Sequence, residues 1–204
     1  MSHYFTNDEV KSNEKTKKVI IKNHEFTFIT DNGVFSKKGL DFGTRALLET
    51  LELDKMKGKV LDFGCGYGPI GIYLAQNKEL EVHMIDINRR SLELARKNVD
   101  LNHVNVTIYE SDIYSNVRCK FDYIVSNPPI RVGKETLYKI LFTAKEYLNK
   151  NGELWIVVNK QQGAKSLIKD LEKSYKEEVK NKASGFYIIC AINDWLVTLS
   201  LIKL

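Results

Sequence analysis

The residues best suited to chemistry in this chain fall at four points, each just after a short apolar run. Lys59–Phe63 runs into Asp62-Phe63-Gly64-Cys65-Gly66-Tyr67-Gly68, with Pro69 next. Val82–Ile87 carries Asp86 near its end. Val106–Tyr109 is followed by Asp112 and Ile113. Phe121–Ser126 leads into Asn127-Pro128-Pro129. Alternate glycines after a strand let the backbone turn tightly and come close to a ligand. Asp86 or Asp112 alone is what an ordinary turn also uses. In an open parallel sheet, however, ligands bind beyond the carboxyl ends of the strands, and there the four points become neighbours on one edge.

Spacing discriminates between ligands. A carboxylate about 20 residues past a glycine loop also suits a dinucleotide. The dinucleotide fingerprint is Gly-x-Gly-x-x-Gly, because a pyrophosphate needs a helix N-terminus close by. This loop is Gly-x-Gly-x-Gly, with Asp62 before it and Pro69 after it. An acidic side chain there favours a cation over a pyrophosphate, and S-adenosylmethionine carries an ammonium and a sulfonium. At the fourth point, the Asn127 side-chain oxygen and the Pro128 carbonyl are hydrogen-bond acceptors. Pro129 stiffens the loop and offers no competing N–H. Such acceptors can aim a planar N–H nitrogen at a methyl donor. The lone pair of that nitrogen is delocalised, so it is a poor nucleophile, and orientation at near-attack distance supplies several kcal/mol. No strong base is needed, since the proton leaves readily after transfer.

The elements that must position these residues can be read from hydrophobic period. From Lys59 onward, strands alternate with helices through Ile70–Gln76, from Asn88 through Leu101, Lys134–Leu148 and Gly163–Ser174. Apolar Leu137, Ile140, Leu141, Ala144 and Leu148 line one side of the third of these. Alternation of this kind predicts right-handed βαβ crossovers. Leu154–Val158 supplies a fifth strand. Val179–Ala183 and Phe186–Ala191 are separated only by Ser184-Gly185, too short for a crossover, so they pair antiparallel. The expected fold is α/β: a doubly wound, mostly parallel seven-stranded sheet with an antiparallel terminal hairpin. Ahead of it, Val19-Ile20-Ile21 and Phe26–Ile29 predict a small β-hairpin around Asn23-His24, and Asp41 or Thr44 caps a helix through Leu51. Residues 1–52 are thus expected to form an arm, hairpin and lid helix on a catalytic domain of residues 53–204. The apolar tail Trp195–Leu204 suits one further strand.

Composition bounds the rest. No stretch approaches the roughly 18 to 20 apolar residues that span a bilayer, and the polar N-terminus lacks a signal-peptide core, so a cytoplasmic protein with no membrane partner is expected. Cys65, Cys119 and Cys190 and the four histidines show no metal-ligand spacing. A net charge of +5 permits a nucleic-acid partner without demanding one.

Val60-Leu61-Asp62-Phe63-Gly64-Cys65-Gly66-Tyr67-Gly68 resembles the cofactor loop of the class I methyltransferases, whose fold is Rossmann-like. The resemblance implies that S-adenosylmethionine lies against Gly64 and Gly66, with Asp62 and Cys65 in the same loop. It implies ribose hydroxyls on Asp86, the adenine amino group on Asp112, Ile87 and Ile113 against the ring, and the loop of Phe35 over the cofactor. Asn127-Pro128-Pro129 resembles the catalytic turn of enzymes that methylate exocyclic base amines or the glutamine side-chain amide. Gly33-Val34-Phe35-Ser36, Leu40-Asp41-Phe42-Gly43-Thr44 and Lys160-Gln161-Gln162-Gly163-Ala164 extend the likeness, from about Tyr4 to about Ala191, to the RsmC-type rRNA guanine-N2 methyltransferases. That family implies an RNA partner, either rRNA or a ribosomal subunit, with Ile130, Arg131, Lys37, Lys38 and Lys134 toward it. Two departures stand out. The larger enzymes of this type carry a second, inactive domain, for which these residues are not expected to have room. Many have Phe-His where this chain has Ile130-Arg131. A protein-glutamine N5-methyltransferase and a non-catalytic cofactor- or RNA-binding module are the alternatives, an NAD oxidoreductase comes last, and a monomer and a homodimer are equally allowed.

Overall fold

Between Gly58 and Ile192 the expected alternation builds a single seven-stranded sheet. The computed structural model describes residues 11–34, 36 and 39–194. Phe35, Lys37, Lys38, the Arg131 side chain and the Trp195–Leu204 tail lie outside the described residues. The strands are β3 (Gly58–Phe63), β4 (Leu80–Asp86), β5 (Thr107–Glu110), β6 (Phe121–Ser126), β7 (Leu148–Asn159), β8 (Lys176–Ala183) and β9 (Phe186–Ile192). Their order across the sheet is β5-β4-β3-β6-β7-β9-β8. The first five are parallel; β9 is antiparallel to both β7 and β8. The chain winds outward from β3 to β5 and then returns to place β6 on the other side of β3. That reversal is a topological switch point, where open α/β sheets hold their ligands.

Helices cover both faces, as buried strands require. Along β3, Val60 joins a core on one face while Leu61 and Phe63 join the other. The first core takes Leu47 and Leu48 of α1 (Phe42–Thr50), Ile70 and Ile72 of α2 (Pro69–Leu74), and Leu92 and Ala95 of α3 (Arg89–Leu101). The second takes Leu137, Ile140 and Leu141 of α4 (Lys134–Tyr147) and Leu167 and Leu171 of α5 (Ala164–Leu171). Asp41 and Asn88 cap α1 and α3, accepting from the backbone N–H of Thr44 and Ser91 respectively.

The N-terminal hairpin is a separate two-stranded sheet, β1 (Lys15–Ile21) and β2 (His24–Thr30), turning at Lys22-Asn23. Such a ribbon is marginal alone. Here Phe26 packs on Tyr73 of α2, and Phe28 meets Tyr67 of the glycine loop edge-on at 5.6 Å.

One boundary differs clearly from expectation. β7 begins at Leu148 rather than Leu154, directly after α4. Asn149-Lys150-Asn151-Gly152 has the composition of a loop, and it does bend, with Asn151 at φ 60°. Tertiary contacts hold it in the sheet: the Asn193 amide donates to the Asn149 carbonyl, and the Asn193 backbone N–H donates to that of Gly152.

Candidate active site

Asp62, the fifth residue of β3, lies under the glycine loop with no exposed surface. One carboxylate oxygen accepts the Gly71 N–H at 2.8 Å, which fixes the start of α2. The other has no partner among the described residues. Burial raises its pKa to about 8, and the charge of Asp86 adds to the rise. Gly64, Gly66 and Gly68 all adopt positive φ. They differ in what surrounds them. A Cβ on Gly64 or Gly66 would enter open space, whereas on Gly68 it would lie 2.9 Å from Met84 Cε. The first two therefore leave room for a ligand, and the third permits close helix packing. Cys65 turns into the core as a neutral thiol, its pKa pushed well up by burial. An unpaired buried carboxylate oxygen beneath a cradle without side chains fits a ligand with an ammonium group.

Asp86 closes the cradle from β4. Its two oxygens accept the backbone N–H groups of Gly66 and Asn88, each at 2.8 Å. A carboxylate has about four lone-pair sites, and the Ile87 N–H also bonds this one, so capacity remains for a further hydroxyl. Desolvation nonetheless raises its pKa above the ordinary carboxylate value. Ile87 beside it is an exposed large apolar side chain. After β5, Asp112 is exposed and Ile113 is half-buried. Ile113 sits at φ 51°, a conformation costly for a β-branched residue. Ser111 holds it there: its hydroxyl donates to the Ile113 carbonyl and accepts the Asn116 N–H. Nothing in the residue pattern announces this strained turn, and strain of that kind gathers at ligand sites.

Asn127-Pro128-Pro129 follows β6 directly, across the switch point from the glycine loop. The Ser126 hydroxyl ties the two strand ends together by donating to the Phe63 carbonyl at 2.8 Å. The Asn127 amide nitrogen donates to Thr44 Oγ1 at 3.0 Å and lies 3.3 Å from Asp41 Oδ1. Beyond Pro129, Ile130 lines a cleft of about 310 Å³ with Lys134, Leu137, Tyr138, Gln162, Gly163, Ser166 and Leu167. The Lys134 ammonium sits 4.9 Å over the Tyr138 ring. The four sequence points are thus brought to one edge. The cleft walls from α5 were not evident in the residue pattern. Among the described residues no group of His, Cys, Asp and Glu could hold a metal, and no helix is long and apolar enough to cross a membrane.

A further residue had no sequence signal beyond its place on the apolar stripe of α3. The fully buried Asn98 accepts the Ile29 N–H at 2.6 Å and donates to the carbonyls of Ile29 and Tyr67. One turn on, Asn102 makes the same paired contact with Thr27. The two amides act as a substitute strand along β2 and tie the hairpin to the glycine loop. Leucine keeps the branched outline of asparagine with bulkier methyl groups, so Asn98→Leu removes every polar contact at the cost of some overpacking. Orphaned buried groups cost about 1–3 kcal/mol each. With a total near 3 kcal/mol, calorimetry is expected to show a midpoint roughly 6–12 °C lower. An unchanged midpoint would remove Asn98 as the clamp.

Residues 25–190 match the family model described as methyltransferase small domain. The chain is 47% identical over 195 residues to the uncharacterized protein YbxB of Bacillus subtilis, covering 93% of this chain and 97% of that one. It is 44% identical over 132 residues to ribosomal RNA small subunit methyltransferase C of Haemophilus influenzae, covering 62% of this chain but only 40% of the relative. Among solved structures, the T. thermophilus 16S rRNA N2 G1207 methyltransferase (RsmC), in complex with AdoMet and guanosine, superposes with a TM-score of 0.80. That match is 25% identical and covers 91% of this chain and 52% of the other.

Proposed function

This chain belongs to the methyltransferase small-domain family of class I S-adenosylmethionine-dependent enzymes, and we propose that it methylates the exocyclic amine of a guanine in small-subunit rRNA. The observation that carries this reading is the Asn127-Pro128-Pro129 turn, which follows a strand end tied by Ser126 to the end of the glycine-loop strand and leads directly into Ile130 of the cleft. S-adenosylmethionine, when bound, supplies a methyl group on a sulfonium whose sulfur leaves as a neutral thioether. The chain's own residues bind and orient. Asp62 accepts from the cofactor ammonium, Gly64 and Gly66 lie against its amino-acid portion, and Cys65 shapes the loop from below. Asp86 takes the ribose hydroxyls. Asp112 takes the adenine amino group, with Ile87 and Ile113 on the ring and Phe35 as a further cofactor contact. β1, β2 and α1 serve as a lid on the catalytic domain that follows them.

At the acceptor, the Asn127 oxygen and the Pro128 carbonyl take the two N–H hydrogens of the guanine amine. This aims the nitrogen lone pair at the methyl carbon, and the surplus proton then passes to solvent. Pro129 holds the turn. Ile130 packs on the base, where an aromatic would have stacked, and Arg131, Lys37, Lys38 and Lys134 meet the RNA backbone as cations meet phosphate. Support comes from the rRNA methyltransferase C relatives and from the guanosine in the T. thermophilus structure. The chain spans about 40% of the length of those curated relatives, and the guanine reading joins that match to the chemistry of the Asn127-Pro128-Pro129 turn. The deciding experiment offers tritiated cofactor with ribosomal subunits, naked rRNA and total protein from a strain lacking the gene. Labelled small-subunit rRNA carrying N2-methylguanine is expected; labelled protein without labelled RNA would overturn the guanine reading in favour of the glutamine amide.

A further inference from the structure

The start of α1 reaches the catalytic turn, and its chemistry constrains the Asn127 amide. Asp41 is a carboxylate and can only accept hydrogen bonds. Its oxygens already take the Thr44 backbone N–H at 3.1 Å and the Thr44 hydroxyl at 2.5 Å. The Thr44 hydroxyl hydrogen is therefore committed, and its oxygen is left as an acceptor. Both groups that α1 presents to Asn127 are acceptors, so Asn127 must turn its NH2 toward them, 3.0 Å from Thr44 Oγ1 and 3.3 Å from Asp41 Oδ1. An amide is a fork, and its oxygen then points away from α1. An unconstrained asparagine would present either branch to a substrate. A nitrogen presented to an amine N–H would repel it.

The α1 terminus is itself well anchored. Thr44 is 3% exposed. Phe42 packs against Phe186 of β9, with ring centroids 5.7 Å apart, and a Cβ on Gly43 would lie 2.9 Å from that same ring. Asp41 and Thr44 are thus held to the sheet independently of Asn127.

We propose that Asp41 and Thr44 are positioning residues that fix which branch of the Asn127 amide faces the substrate nitrogen. The proposal rests on the catalytic reading of Asn127 given above. In it, the N-terminal segment does more than cover the cofactor: it selects the reactive orientation of the catalytic turn.

Asp41→Asn keeps the N-cap with its carbonyl oxygen at the Oδ1 position and places its NH2 at the Oδ2 position, where it donates to Thr44 Oγ1; the Thr44 hydroxyl hydrogen is then free to donate to the Asn127 oxygen, which removes the preference for the NH2 branch. Thr44→Val keeps the shape and removes the acceptor, and Thr44→Ser restores it. With tritiated cofactor and whichever acceptor the wild type labels, kcat is expected to fall at least about tenfold in Asp41→Asn and Thr44→Val, since small misplacements can cost up to about 10²-fold. Cofactor affinity is expected to stay within a few-fold, and Thr44→Ser to recover the rate lost by Thr44→Val. A second readout does not depend on turnover. The Asn127 side-chain ¹⁵NH2 resonance, assigned by its loss in Asn127→Ala, is expected to exchange slowly with solvent in the wild type and quickly in Thr44→Val. Wild-type kcat in both variants while Asn127→Ala is inactive would overturn the proposal and leave Asn127 catalytic. Equally fast amide exchange in wild type and Thr44→Val would overturn it as well. Full activity of Asn127→Ala would instead sink the reading beneath it.

Discussion

Asn127→Ala is expected to lower methyl transfer by at least about 10²–10³-fold, the loss seen when one preorganised polar group is removed from a reacting centre. Affinity for S-adenosylmethionine is expected to remain within a few-fold. The split follows from where the residue stands. Asn127 is partly buried after β6, and its recorded contacts run to Asp41 and Thr44 and not to the glycine loop. The cradle is held by other bonds: Gly71 to Asp62, Gly66 to Asp86, and Ser126 to Phe63. Truncating Asn127 leaves all of these intact. It removes one of two acceptors for the substrate amine, so the lone pair is no longer aimed. Single-turnover methyl transfer and titration calorimetry measure the two quantities separately. Equal activity in the variant would remove Asn127 from the chemistry.

What could be read in advance follows a physical division. The sheet was legible because its central strands are buried on both faces and its helices carry one apolar stripe, so Phe121–Ser126 is a strand with the bounds that hydrophobicity suggests. The caps at Asp41 and Asn88 were legible because a side-chain acceptor at a helix start acts locally. Contacts between residues distant in sequence were not. Asn98 meets Ile29 across 69 positions, and Asn127 meets Thr44 across 83. Neither separation has any period to detect. Asp41 read as a helix cap within the Leu40–Thr44 stretch of the family likeness, and its contact with Asn127 was not legible because it depends on how the α1 terminus docks against Phe186. The long β7 was hidden for the opposite reason: local composition spelled a loop, and the contact with Asn193 overrode it.

Asp62→Asn is expected to lose affinity for S-adenosylmethionine by roughly 10–100-fold, the equivalent of a hydrogen bond to a charged group worth about 1.5–3 kcal/mol, while the unliganded protein becomes less sensitive to pH. The variant keeps a carbonyl oxygen for the Gly71 N–H and puts an NH2 where the wild type has an unpaired oxygen. An NH2 cannot accept from an ammonium. The pH argument runs through the proton. In the folded protein the Asp62 pKa is raised to about 8 from 3.8, chiefly by burial. Between these values the folded chain holds a proton that the unfolded chain releases. Stability therefore falls as pH rises through that window, by at most about 1.4 kcal/mol per unit. Asp62→Asn lacks the titration, so the stability difference between wild type and variant should shift in favour of the variant as pH rises from 5 to about 7.5. Cofactor binding runs the other way. An ionised Asp62 is the better partner for an ammonium, so binding below pH 7.5 should release a proton from the wild type and none from the variant. Calorimetry in two buffers of different ionisation enthalpy counts that proton directly. The window stops there because a free α-amino group itself titrates near 8. Affinity within threefold of wild type, or the same proton release in both proteins, would take Asp62 out of the cofactor site and leave it only as the anchor of α2.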